Sequence, residues 1–75
     1  MNSYTLLTEK VTSGDWVIVE GVPYTFLGKI TIRIGEHEST AFIENTKAMI
    51  RCPRLERGAQ PVRVDGARIG TVEVV

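Results

Sequence analysis

The chain holds one cysteine, Cys52, and one histidine, His37, among its 75 residues. A lone cysteine excludes an internal disulfide, and one Cys with one His cannot by themselves build a structural zinc site. Aromatic residues are few: Tyr4, Trp16, Tyr24, Phe26 and Phe42. No apolar run approaches the length needed to cross a bilayer, and no membrane partner is expected. The opening MNSYTLLTEKVTSGD lacks the basic start and apolar stretch of a secretion signal. A cytoplasmic setting is therefore expected, and a component of a larger particle, such as a phage, would look the same. Catalytic signatures are missing too. There is no glycine-rich phosphate loop with Lys-Ser/Thr, no G-x-S-x-G elbow and no H-E-x-x-H. We expect neither an enzyme nor a cofactor.

What is present is a folded composition, 43% hydrophobic and 24% charged, too apolar for intrinsic disorder. The length suits one domain over residues 1–75, with no room for a second core. So small a core is marginal without disulfides or a metal, which points to self-association or a protein partner. Formal charge is zero but unevenly placed. Residues 1–45 carry six acids against three bases, and residues 46–75 carry six bases against three acids, giving −3 and +3. Such a dipole suits steering of an anionic partner or head-to-tail association.

Residues Tyr24 to Ile34 read YTFLGKITIRI, with apolar residues or glycine at every even position. Side chains alternate across a strand, so the pattern predicts an extended segment with one buried face. At about 3.3 Å per residue it would span roughly 36 Å, twice the usual strand, and Gly28 would bend it. Further strands are expected near 3–8, 15–20, 39–44, 47–52, 61–65 and 67–74, with turn signals every eight to twelve residues. The stretch 44–52 is open between a strand and a short helix capped by Asn45 and stopped by Pro53. Residues 53–61 read as a long basic connection. Asp65-Gly66 predicts a two-residue hairpin turn placing Val64 beside Ala67, Arg63 beside Arg68 and Val62 beside Ile69. The apolar parity then changes at Gly70, which predicts a β-bulge. The fold class is all-β: a small barrel or strongly curled antiparallel sheet of SH3-like size, with five to seven strands. Its expected core is Trp16, Ile18, Tyr24, Phe26, Ile30, Ile32, Ile34, Ile43, Ile50, Val62, Val64, Ile69 and Val72.

Five features bear on function. Glu36-His37-Glu38 resembles a proton-transfer or metal trio, but neighbours on a strand point apart, so a hydrated turn is the expected reading. Cys52 sits in an apolar rhythm with Ala48 and Ile50, which marks a small core residue rather than a nucleophile. The bases Lys47, Arg51, Arg54, Arg57, Arg63 and Arg68 form the strongest signal. Arg63 and Arg68 as cross-strand neighbours repel unless solvent, a phosphate or a partner's carboxylate relieves them. Arg51, Arg54, Arg57, Arg63 and Arg68 are thus the candidate anion or nucleic-acid contacts. Finally, Trp16-Val17-Ile18-Val19 is apolar on both faces, which suits a covered central strand or one meeting another molecule. The closing strand TVEVV must likewise pair, with the first strand or with a second subunit.

Gly14-Asp15-x-Val17-x-Val19 resembles the opening of small SH3-like barrels, where a turn feeds a strand into the core. VIVEGVPYTFLGKI resembles segments of short β-rich phage connector and attachment proteins. Neither resemblance maps a functional residue, and no function is carried over. The expected function is a non-catalytic interaction or assembly module, working as a homo-oligomer or within a larger complex. The alternative is a nucleic-acid-binding barrel using the five arginines.

Overall fold

The computed structural model describes residues 3–75 as an all-β domain of two sheets. Its strands are β1 (Thr5–Leu6), β2 (Lys10–Val11), β3 (Trp16–Glu20), β4 (Thr31–Ile34), β5 (His37–Thr40), β6 (Phe42–Glu44), β7 (Lys47–Arg51), β8 (Gly58–Val64) and β9 (Ala67–Val74). One sheet has the order β1-β3-β7-β6, and the other, strongly curled, runs β2-β9-β8-β4-β5. All pairings are antiparallel except β2 with β9, where Lys10 lies beside Glu73 and Val11 beside Val74. The carboxyl-terminal strand is thus covered by residues 9–11, and Val75 N–H donates to Val11 O at 2.9 Å.

The inner faces of both sheets meet in one apolar core. Val17 and Val19 come from β3, Ala48 and Ile50 from β7, Ile32 and Ile34 from β4, Val62 and Val64 from β8, and Val72 and Val74 from β9. Val11, Val22, Ile30 and Cys52 complete it. Burial of each such valine or isoleucine contributes about 1.5–3 kcal/mol, and this drives the fold.

The expected long strand is broken. Only Thr31–Ile34 is strand; the segment before it is a loop that turns at Pro23, where Phe26 N–H donates to Pro23 O at 3.0 Å. Gly28 has φ of 142°, a conformation that side-chain-bearing residues rarely adopt, and it ends any extension. Tyr24, expected in the core, is 82% exposed, while Phe26 packs against the core in part. Trp16 and Ile18 are also corrected. They lie on the outer face of β3, because Val17 and Val19 pair with the buried Ile50 and Ala48. Ile43 has inward parity but sits on the edge strand β6, which leaves it 39% exposed.

The ambiguous stretch is a hairpin: β6 and β7 join through Asn45-Thr46, and Asn45 takes a positive φ of 56°. The basic connection is shorter than expected, because β8 begins at Gly58. At the last hairpin both turn residues have positive φ, 48° at Asp65 and 88° at Gly66, as a tight primed turn requires. Val64 pairs with Ala67 and Arg63 with Arg68, as expected. The bulge comes one residue earlier than predicted: Val62 pairs with Gly70, so Ile69 is the extra residue. Gly70 then faces inward, and a methyl group there would stand 3.3 Å from Leu6 Cδ2.

Candidate functional site

Two outer faces carry features that the core does not absorb. The first belongs to the four-stranded sheet. Register aligns Ile18 with Met49 and Met49 with Phe42, and Leu7 N–H donates to Ile18 O at 2.9 Å. Leu7, just past the end of β1, thus continues the row Ile18, Met49 and Phe42 from β3, β7 and β6 as one apolar line across the sheet. Leu7 is 47% and Phe42 67% exposed, while Ile18 and Met49 are half-buried. Trp16 and Arg51 flank this row on one side. The guanidinium carbon of Arg51 stands 4.2 Å from the Trp16 ring centroid, and Trp16 meets Phe42 edge to face at 5.8 Å and 84°. A cation over an indole at a partly exposed site contributes about 0.5–1 kcal/mol. Arg51 also donates to Gly14 O at 2.8 Å, which fixes the fork.

On the other side of the apolar row, Glu20, Lys47 and Glu44 are aligned in register. Lys47 pairs with Glu20 at 3.5 Å, the only ion pair among the described residues. Thr46 donates to Glu20 Oε1 at 2.5 Å. That bond, helped by the Lys47 charge and opposed by partial burial, holds the Glu20 carboxyl below its ordinary range. Glu44 is left exposed and without a basic partner among the described residues.

The second face is the outside of the curled sheet. Arg33 aligns with Glu38 on one side and with Arg63 on the other, and Arg63 aligns with Arg68. Three guanidinium groups thus project from adjacent strands, about 5 Å apart at their bases. Between the hairpin turns lies an open depression of about 390 Å³ lined by Arg33, Gly35, Glu36, Glu38, Pro61, Arg63 and Gly66.

Of the arginines singled out in the sequence, the fold joins only Arg63 and Arg68. Arg51 lies on the other sheet, while Arg54 and Arg57 sit exposed in the connection before β8. Arg33 was missed. Its outward parity in TIRI is readable, but its neighbours depend on how β4 meets β8. His37 begins the exposed edge strand β5, just after the Gly35-Glu36 turn, and no metal-holding group of three His, Cys, Asp or Glu occurs among the described residues. Cys52 is buried in the core, as its rhythm predicted. Burial, with the Asp15 charge adding to it, pushes its thiol up, the opposite of activation. No helix among the described residues is long and apolar enough to cross a membrane. Compared with protein families, curated proteins and solved structures, the chain finds no match.

Proposed function

We propose that the protein is a non-catalytic assembly module that pairs with a second copy of itself through the outer face of the four-stranded sheet. The observation that carries this reading is the apolar row Leu7, Ile18, Met49 and Phe42, half-buried at its middle and exposed at both ends, on a domain with no disulfide to supplement its core. Charge supports a second copy as the occupant. A two-fold axis across the strands lays the Arg51 end of one copy over the Glu20, Lys47 and Glu44 end of the other. Lys47 already lies within ion-pair distance of Glu20, whereas Glu44 has no basic partner among the described residues, which makes Glu44 the counter-charge for Arg51 of the partner. The rotation about the other in-plane axis would bring Arg51 near its own copy. The two central strands have five residues each and the edge strands two and three, so the face is at most roughly 19 by 17 Å, small for an interface, and association belongs in the micromolar range.

Sedimentation equilibrium tests this. The wild type should dimerise at roughly 1–100 µM. Met49→Glu should be monomeric with unchanged circular dichroism. Arg51→Glu and Glu44→Arg should each weaken the dimer, and the double exchange should restore it. A wild type that stays monomeric throughout that range, or no restoration on exchange, refutes the reading.

A further inference from the structure

The arginine row on the curled sheet is independent of self-association, because it lies on the opposite outer face. Arg33 and Arg63 are half-buried among their neighbours, so their side chains have less freedom to lose on binding than free surface arginines. Yet their donors are poorly used. Arg63 reaches Gly66 O only at 3.4 Å, Arg68 donates to Thr71 Oγ1 at 2.9 Å, and Arg33 has no hydrogen-bond acceptor among the described residues. No carboxylate comes within ion-pair distance of any of the three there. Like charges in register repel, and a guanidinium is a planar fork that matches phosphate oxygens two at a time. A dianion seated between Arg33 and Arg63 would remove the repulsion and fill the unused donors. Arg68, one strand further, adds attraction without reaching the same oxygens.

The acids decide what kind of anion fits. Glu38 lies directly beyond Arg33 in the row, and Glu36 lines the same depression. A long polyanion running past Arg33 would meet both carboxylates. A small ligand with a phosphate at one end and hydrogen-bond donors at the other would use all four side chains. The volume of about 390 Å³ falls within the range of small-molecule sites. We propose that this depression binds a small phosphate monoester bearing hydroxyl or amine donors, its phosphate between Arg33 and Arg63 and its donors on Glu36 and Glu38.

Titrations by NMR at low salt would test it, with inorganic phosphate, ribose 5-phosphate, adenosine 5′-monophosphate and a single-stranded oligonucleotide as probes. A monoester should shift the amides of residues 33–38 and 61–66, and should bind more tightly than inorganic phosphate. Comparing the sugar phosphate with the nucleotide tells whether a base adds to recognition. Arg33→Gln and Arg63→Gln should each weaken the monoester about tenfold or more. Both side chains face outward, and an unchanged melting temperature checks that the fold is kept. Glu36→Gln and Glu38→Gln should weaken the monoester while leaving or strengthening inorganic phosphate. The proposal is overturned by absence of shifts at millimolar monoester, by indifference to Arg63→Gln, or by tighter binding of the oligonucleotide than of either monoester.

Discussion

Replacing Val19 by threonine isolates the parity of β3 on which both the core and the apolar face depend. The two side chains have nearly the same shape, so the substitution leaves no cavity and changes one methyl to a hydroxyl. Val19 is fully buried, opposite Ala48, with no polar side chain in the core around it. A hydroxyl there keeps no water, and its desolvation costs about 1–3 kcal/mol. A domain of this length has roughly 4–11 kcal/mol in total, so the loss is a large share. It should lower the melting temperature by about 8–16 °C for a cost near 2 kcal/mol. Ile18→Thr, one residue earlier, puts the same hydroxyl on the half-exposed outer face and should cost under about 1 kcal/mol. The pair should be compared by urea denaturation over a dilution series, because Ile18 also contributes to the proposed dimer and its effect should fade on dilution. Equal costs, or a larger cost at Ile18, would show that β3 presents Trp16 and Ile18 to the core and would remove the apolar row with it.

Three further outcomes follow from particular contacts. Gly21 has φ of 124° and lies against the backbone of Ser3, so Gly21→Ala should destabilise by about 1–3 kcal/mol, measured by chemical denaturation. Tyr4 has a buried hydroxyl without a hydrogen-bond partner among the described residues, so Tyr4→Phe should raise the denaturation midpoint, by about 1 kcal/mol in stability. The Glu20 carboxyl is held below its ordinary value, so its stabilisation is present above the unfolded carboxylate range and is lost as pH falls through the lower folded value. Thr46→Val removes the main cause, and the stability gap between wild type and variant should narrow on going from about pH 7 to acid; a constant gap contradicts the assignment.

Much of the sheet was legible because single residues fixed parity. In KAMIRC the charges at Lys47 and Arg51 set the outer face, and Ala48, Ile50 and Cys52 are buried as that implies. Asp65-Gly66 specified its turn and the first two cross-strand pairs after it. In WVIVE both faces are apolar, and the larger residues Trp16 and Ile18 suggested the core. The charge at Glu20, which shares their parity, was the signal pointing outward. The alternation in YTFLGKITIRI misled for a different reason. Period-two patterning reports side-chain polarity, whereas the extension ends on backbone terms, the turn at Pro23 and the positive φ of Gly28. Apolar residues in that loop then stay exposed, Leu27 at 95%.

The charge asymmetry along the chain shows why sites were harder to read than strands. Acids predominate before residue 46 and bases after it, which suggested two oppositely charged regions. The topology interleaves them. The β4–β5 hairpin comes from the acidic part and β8–β9 from the basic part, yet β4 pairs with β8 in one sheet. That pairing brings Glu36 and Glu38 to the same depression as Arg63, and adds Arg33, a base from the acidic part, to the arginine row. A long-range dipole is thereby exchanged for a short-range alternation of sign, which orients a small bipolar ligand better than it attracts a long polyanion. The register between β4 and β8 is set by the buried pairs Ile32 with Val64 and Ile34 with Val62. A shift of one residue would turn those isoleucines to solvent, so core packing also holds Arg33 beside Arg63.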